Sequence, residues 1–93
     1  MIYNFITKTP GEIDMLIAGR IRAIRKRRKI SQKRLSEKSG VSLGSVKRFE
    51  QSGEISLRSL TKIAIALEIQ DELENLFKDV PFLSIEELIN GEN

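Results

Sequence analysis

The sequence contains no cysteine and no histidine, and these two absences narrow its chemistry. Without cysteine the chain forms no disulfide and offers no thiolate to a metal ion. Without histidine it lacks the side chain that most often acts as a general base and the most common zinc ligand. No cluster of metal-ligating residues and no glycine-rich phosphate loop is evident, because 40–44 (GVSLG) is better explained as a turn. We therefore expect that the chain is not an enzyme and that it binds neither a metal ion nor a cofactor.

Long apolar runs are missing as well. No segment approaches the ~20 apolar residues that a membrane-spanning helix needs. The first residues, MIYNFIT, have no basic start and no long apolar region, so we expect no signal peptide. A chain of 93 residues with 40% apolar and 31% charged residues is typical of one soluble domain with a modest core, for which dimerisation would help. The expected location is the cytoplasm.

The net charge of +3 hides a strong asymmetry along the chain. Residues 1–62 contain 15 basic and 5 acidic side chains, whereas residues 63–93 contain one lysine and 8 acids. Nine of the fifteen residues 20–34 are lysine or arginine, and none is acidic. Such a cluster can be a solvated face that keeps the protein soluble, or a surface that faces the phosphates of nucleic acid. Its position beside the motif at residues 31–51 favours the second interpretation.

Capping signals divide the chain into five helices. Thr9-Pro10-Gly11-Glu12 is a capping box with proline at the first helical position. Serines begin the next three helices, and glycines end two of them. The predicted helices cover about 10–28, 32–39, 43–51, 57–67 and 71–78. The predicted fold class is therefore all-α, a compact five-helix domain over residues 9–79.

Apolar residues at helical spacing predict which faces are buried. The first helix is predicted to bury Ile13, Leu16, Ile17, Ile21 and Ile24, the fourth Leu57, Leu60, Ile63, Ala64 and Leu67, and the fifth Leu73, Leu76 and Phe77. Ile65 lies off the stripe of the fourth helix and is expected to be exposed on this domain, where either the N-terminal arm covers it or it belongs to a dimer interface. Residues 1–8 are predicted to form a short edge strand or extended arm. Residues 80–93 are predicted to form a short helical tail with a last turn at 84–89, which would either cover the core or contact a partner.

Residues 31–51 (SQKRLSEKSGVSLGSVKRFEQ) predict two short amphipathic helices joined by the tight turn Gly40-Val41-Ser42. Lysine and arginine lie on the second of these helices. This layout is typical of a helix-turn-helix, in which one helix lies against the DNA backbone and the next enters the major groove. The sequence therefore predicts a DNA-binding protein.

Three segments match a family pattern without a gap: Ile21-Arg22-x-x-Arg25, Ile30-Ser31-Gln32-x-x-Leu35, and Gly40-Val41-Ser42-x-x-x-Val46-x-x-Phe49-Glu50. With these segments the sequence resembles the Cro/repressor family of helix-turn-helix regulators, the XRE family, over about residues 17–77. The resemblance implies a compact domain of about five helices that binds a palindromic operator as a two-fold dimer. Half-sites then lie about 34–36 Å apart.

The resemblance also assigns roles to single residues. It implies that Arg25 and Glu50 form a partly buried salt bridge between the first and third helices. It implies that Gln32 bonds a phosphate and helps to fix the third helix. The apolar residues that clamp the two helices together would be Leu35, Val41, Val46 and Phe49, and we expect these four to be structural.

The third helix is the one expected to read the DNA sequence. The candidate base contacts are Leu43, Gly44, Lys47 and Arg48. The candidate phosphate contacts are Arg22, Arg28, Gln32, Lys33, Ser42, Ser45, Gln51 and Arg58. Many members of the family carry glutamine or arginine where this chain has Leu43 and Gly44, so direct base contacts are expected to be sparse. Several members also hold basic residues where this chain has Glu54, which shifts the expected phosphate contacts towards the first two helices.

Residues 45–77 resemble a narrower group, the small antitoxins that are encoded beside HipA-like kinase toxins and repress their own operon. A HipA-like kinase is then a possible partner, with the acidic C-terminal third as the surface it contacts. A phage-type or stand-alone repressor shares the same DNA-binding mechanism and stays open. A helical adaptor that binds proteins and no DNA is the alternative from another class.

Overall fold

The computed structural model describes residues 7–79, and this part of the chain contains five α-helices and no strand. The helices are α1 (Pro10–Arg27), α2 (Gln32–Ser39), α3 (Leu43–Ser52), α4 (Leu57–Ala66) and α5 (Gln70–Glu74). The predicted all-α class is therefore confirmed. The predictions of an N-terminal arm and of a C-terminal tail fall mostly on residues 1–6 and 80–93, which lie outside the described residues. None of the described helices has the length and hydropathy that a transmembrane helix needs.

Side-chain caps explain where α1 to α4 begin. At α1 the Glu12 N–H donates to Thr9 Oγ1 at 3.2 Å, and the Thr9 N–H donates to Glu12 Oε1 at 2.8 Å. Serine hydroxyls accept from backbone N–H groups at the starts of the next three helices, at Ser31, Ser42 and Ser56. The predicted starts of these four helices are thus correct, because each rests on a local hydrogen bond.

The fifth helix is shorter than the predicted 71–78. It has no side-chain cap at Ile69, and it ends at Glu74. Beyond Glu74 the backbone continues in tighter turns, with i to i+3 hydrogen bonds from Leu76 to Leu73 and from Lys78 to Asn75. Phe77 has a φ of 63°, which no α-helix accommodates.

The core lies where α1, α2, α3 and α4 meet. It consists of Ala18, Ile21, Leu35, Val41, Val46, Phe49, Ile63, Ala64 and Leu67, all buried. Each of the four residues predicted to clamp α2 and α3 together is among them. Helix α1 packs on α3, and α2 packs on both α3 and α4.

The buried stripe predicted for α1 is only partly correct. Ile13, Leu16 and Ile17 are about 40% exposed, while the small Ala18 is fully buried. The buried residues of α1 are Ala18, Ile21 and Arg25, and the Gly53 turn packs against Asp14 on the same side of the helix. Leu16 lies on the other side of α1, and Ile13 and Ile17 lie beside the buried face, so these apolar side chains stay partly in solvent.

Two further burial predictions are wrong, and one is confirmed. Leu57 is 72% exposed because it is the first residue of α4, at the edge of the domain. Leu76 and Phe77 are exposed because they lie in the turns after α5 rather than on a longer helix. Ile65 is exposed, as its position off the α4 stripe predicts.

Candidate nucleic-acid interface

The turn between α2 and α3 has a defined geometry. Gly40 ends α2 with a φ of 76°, and its N–H donates to the Ser36 carbonyl at 2.9 Å. The next N–H, on Val41, donates to Ser39 Oγ at 3.1 Å while the Val41 side chain is buried. Ser42 then caps α3. These bonds fix the direction in which α3 leaves the turn.

A buried ion pair fixes α3 against α1. Arg25 Nε donates to Glu50 Oε2 at 2.7 Å, and Arg25 Nη2 donates to Glu50 Oε1 at 2.9 Å. The side chains are 9% and 3% exposed. Arg25 Nη1 also donates to the Ile30 carbonyl at 2.8 Å, in the connection between α1 and α2. One pair of side chains therefore ties α1, this connection and α3 together, and its two-pronged geometry is the strong form of such a contact.

Gln32 adds a third donor to this carboxylate. Its Nε2 donates to Glu50 Oε1 at 3.0 Å, so the first residue of α2 is hydrogen-bonded to α3. The role of fixing the third helix, which the family resemblance implies, corresponds to this bond. The amide nitrogen carries a second N–H, which is free to donate to a phosphate in the same geometry.

The pKa of Glu50 is lowered although the group is buried. Burial by itself raises the pKa of a carboxyl group, because it disfavours the charged form. The hydrogen bonds from Arg25 and Gln32 and the positive charges of Arg25 and Arg22 outweigh that effect, the Arg22 Nε lying 3.8 Å from Oε1. Glu50 is therefore ionised in the folded protein.

This pKa shift predicts that acid destabilises the fold. Because the folded-state pKa lies below the ordinary value of 4.5, the contribution of Glu50 is fully present above that value and is lost as the pH falls through the folded-state pKa. Urea unfolding at several pH values between 7 and 3 should show the loss below about pH 4.5. The stability difference between wild type and Glu50→Gln should shrink over the same interval. The matched control is Glu74→Gln, which removes an exposed carboxylate on α5. A constant difference between wild type and Glu50→Gln would contradict the assignment.

Among the exposed residues of α3, Gly44, Lys47, Arg48 and Gln51 lie three or four positions apart and form its outward face. Three of them are among the four predicted base contacts. The remaining predicted base contact, Leu43, is half-buried, so it lies at the edge of this face rather than fully on it. An added Cβ at Gly44 would meet nothing within 4 Å, so the backbone at this position is open to close approach from outside.

Arg48 has a partner that the sequence did not reveal. Its Nε and Nη2 donate to Glu54 Oε1 at 3.1 and 3.0 Å. Both side chains are well exposed, at 69% and 59%. Glu54 follows the last turn of α3, and a separation of six residues is not one at which side chains meet on a single helix. Only the reversal of the chain at Gly53 brings the two together.

Ser42 and Ser45 lie together at the first turn of α3. Ser42 Oγ accepts from the Ser45 N–H at 3.1 Å and donates to Ser45 Oγ at 2.8 Å. The Ser42 hydroxyl is thus used within the helix, whereas Ser45 still has its hydroxyl hydrogen to offer. Of the two predicted phosphate donors, Ser45 is the better placed chemically.

The remaining predicted phosphate contacts are distributed over α1, α2, α3 and α4. Arg22, Lys33, Gln51 and Arg58 are exposed, and so is Arg28, whose Nη1 lies 3.9 Å from Glu68 Oε2. Exposed pairs at this distance are weak, so Arg28 is free to exchange its partner for a phosphate. Within residues 7–79 no group of His, Cys, Asp and Glu is arranged to hold a metal ion.

Comparison with known proteins agrees with this geometry. A family model described as helix-turn-helix matches residues 21–72, which is more than half of the chain and contains α2, the turn and α3 entire. No curated protein and no solved structure matches the chain. The matched residues include the Arg25–Glu50 pair, the turn at Gly40 and the exposed face of α3. The chain therefore belongs to the XRE-type helix-turn-helix family of DNA-binding transcription regulators.

Proposed function

We propose that this protein is a sequence-specific repressor that binds a palindromic double-stranded operator as a homodimer, with α3 in the major groove. The observation that carries the proposal is the contrast between the two sides of α3. Its inner side is fixed by the buried Arg25–Glu50 pair, and its outer side presents Lys47 and Arg48 to solvent. A rigid helix with exposed donors is what base recognition requires.

Lys47 is the residue proposed to read a base most directly. It is exposed on α3, and no ion pair of Lys47 occurs among the described residues. A lysine ammonium donates to guanine O6 and N7 in the major groove. Gly44, one turn earlier, lets the helix backbone come close to the base edges, and Leu43 offers an apolar contact to a thymine methyl.

The phosphate contacts are proposed to come from basic and polar residues on α1 to α4 and directly after α1. These residues are Arg22, Arg28, Gln32, Lys33, Ser42, Ser45, Gln51 and Arg58. Cations that neutralise phosphates release counterions, so binding should weaken steeply with salt. Lys33 is a suitable probe of this electrostatic contribution to binding because it is exposed on α2, the helix expected to lie against the DNA backbone.

A footprint on the DNA upstream of its own gene tests the repressor proposal. We expect protection of two half-sites related by two-fold symmetry and about 34–36 Å apart. Sedimentation of the protein with the protected duplex should give two chains per duplex. Protection of a single asymmetric half-site would contradict the dimer, and no preference for any duplex at low salt would favour the adaptor.

Substitution of Lys47 and Lys33 separates base contacts from phosphate contacts. Lys47→Ala should reduce the ratio of operator to random-DNA affinity by about 5-fold to 150-fold, since a good base contact contributes roughly 1–3 kcal/mol. Lys33→Ala should weaken both affinities equally and reduce the salt slope by about one. The charge-matched control is Lys78→Ala, beyond α5. Unchanged discrimination in Lys47→Ala would show that another face of α3 meets the bases.

For the biological role we propose an autoregulating antitoxin with a HipA-like kinase as partner. Support comes from the resemblance of residues 45–77 to that group and from the exposed Leu76 and Phe77 within the acidic C-terminal third. Residues 80–93 are proposed as the partner-binding segment. The proposed location is the cytoplasm, where both the DNA and the kinase are accessible. Co-expression with a neighbouring kinase-like reading frame should give a complex that residues 1–79 alone do not form. Absence of such a neighbour would favour a stand-alone or phage-type repressor.

A further inference from the structure

We propose that Glu54 is a specificity-determining residue, which holds Arg48 for base contact and opposes contact with phosphate. The inference rests on the proposed placement of α3 in the major groove. An acidic side chain next to a DNA-reading helix is unexpected for a surface that otherwise collects cations. Its position and its hydrogen bonds give it a function.

Glu54 holds Arg48 by one edge of the guanidinium. The Nε and Nη2 groups both donate to Glu54 Oε1, at 3.1 and 3.0 Å. A guanidinium has five N–H donors in a fixed planar fork, so the edge formed by Nη1 and the second N–H of Nη2 stays available. That edge has the two parallel donors that match guanine O6 and N7. The pair therefore leaves Arg48 able to read a base while restricting the directions in which it points.

The segment that carries Glu54 is itself fixed. The Gly53 N–H donates to the Phe49 carbonyl at 2.8 Å, and the Glu54 N–H donates to Ser52 Oγ at 3.2 Å. Ser52 Oγ in turn donates to the Arg48 carbonyl at 2.7 Å. A Cβ added at Gly53 would lie 2.8 Å from Asp14 Cβ, so this turn packs directly on α1. The carboxylate is consequently built into the end of α3 rather than placed on a mobile loop.

The ion pair has little to do with folding. Both side chains are well exposed, and exposed pairs of this kind contribute little to stability. Its effect is expected in DNA binding, where the two kinds of complex differ. On random DNA Arg48 can add binding energy only by turning to a phosphate. This turn breaks its hydrogen bonds to Glu54 and brings the phosphate close to the Glu54 carboxylate. On the operator Arg48 donates to a base with the Glu54 bond intact. Glu54 therefore lowers affinity for random DNA more than affinity for the operator.

Two substitutions at Glu54 separate the effect of its negative charge from the effect of its side-chain length. Glu54→Gln removes the negative charge, and we expect affinity for a random duplex to rise about threefold to tenfold, with a salt slope steeper by about one as Arg48 turns to a phosphate. Glu54→Asp keeps the charge but is one methylene shorter and no longer reaches Arg48 in this geometry. It should raise random-duplex affinity less than Glu54→Gln does, because the carboxylate still repels phosphate, while operator affinity falls. Both variants should lower the ratio of operator to random affinity.

The experiment is a titration of labelled duplexes at several salt concentrations, using the duplex recovered by footprinting and a shuffled duplex of equal length and composition. Glu74→Gln on α5 is the control for net charge, and Arg48→Ala should abolish the effect of Glu54→Asp. Circular dichroism checks that every variant is folded. Two results would overturn this inference while leaving the proposed function intact. One is that Glu54→Gln and Glu74→Gln raise the affinity for both duplexes equally; the other is that neither Glu54 variant changes the ratio of operator to random affinity. A wild-type protein without preference for either duplex would overturn the proposed function as well.

Discussion

Replacing Glu50 with alanine should lower the free energy of unfolding by about 3–5 kcal/mol, the cost of leaving one member of a buried ion pair without its partner. The change strands the Arg25 guanidinium, which is 9% exposed and gives two of its N–H groups to this carboxylate. Gln32 loses its acceptor on α3 at the same time. A domain of this size has only about 5–10 kcal/mol of stability, so much of it would be lost.

A double-mutant cycle tests whether the loss comes from the pair. Glu50→Ala, Arg25→Ala and the double variant should show strong coupling, since the second substitution removes the charge that the first one strands. Glu54→Ala is the matched control, because it removes an exposed carboxylate that also binds an arginine, and it should change stability by less than about 1 kcal/mol. Urea unfolding monitored by circular dichroism measures all four. Equal small losses for Glu50→Ala and Glu54→Ala would mean that the Arg25–Glu50 pair does not hold α3 in solution.

The stability of this pair has a direct consequence for DNA recognition. Helix α3 carries Lys47 and Arg48 on one side and Glu50 on the other, so the orientation of these two proposed base-contacting residues depends on the bond between α3 and α1. Misplacement by about 1 Å is enough to spoil a recognition site. We therefore expect folded Glu50→Ala protein, kept well below its melting temperature, to lose discrimination more than phosphate-driven affinity.

The helix starts were predictable because their causes are local. The capping box at Thr9 and the caps at Ser31, Ser42 and Ser56 each join residues three positions apart, a relation visible in the sequence. The left-handed glycine at position 40 belongs to the same class. Local hydrogen bonds of this kind do not depend on the rest of the fold.

Burial was less predictable because it depends on the neighbours of a helix. Periodicity placed Ile13, Leu16 and Ile17 on the buried face of α1, but the face that packs on α3 carries Ala18, Ile21 and Arg25. Apolar spacing contains no information on a buried alanine or a buried ion pair, and these occupy the face that meets α3. The same limit applies to Leu57 and Phe77, where the predicted apolar face continues past the edge of the domain.

In the candidate site, too, contacts between residues distant in the sequence were harder to predict than local ones. The Arg25–Glu50 contact joins residues 25 positions apart and was accessible only through the family resemblance. The Arg48–Glu54 contact follows no helical spacing, so it became visible only once the chain was seen to reverse at Gly53. Glu54 was recognised in the sequence as an unusual acid but not as the partner of a candidate base-reading residue.

Gly53→Ala should destabilise the domain by about 2–5 kcal/mol, because two separate costs coincide at this position. Its φ of 80° lies in the left-handed region, where a side chain costs roughly 1–2 kcal/mol. In addition, the new Cβ would lie 2.8 Å from Asp14 Cβ and 2.9 Å from the Asp14 backbone carbon. The backbone of α1 cannot move aside as a flexible side chain can, so overpacking adds about 1–3 kcal/mol.

Gly40→Ala separates the two costs within the same protein. Gly40 has a φ of 76°, close to that of Gly53, but a Cβ added there would meet nothing within 4 Å. It should therefore show the backbone cost alone, about 1–2 kcal/mol, and the excess in Gly53→Ala measures the contact with Asp14. Equal losses in the two variants, measured by urea unfolding, would mean that the turn moves away from α1 at no cost. The excess bears on the role proposed for Glu54, because Glu54 follows Gly53 directly. A turn that packs on α1 fixes the start of the segment whose carboxylate lies 3.0–3.1 Å from Arg48.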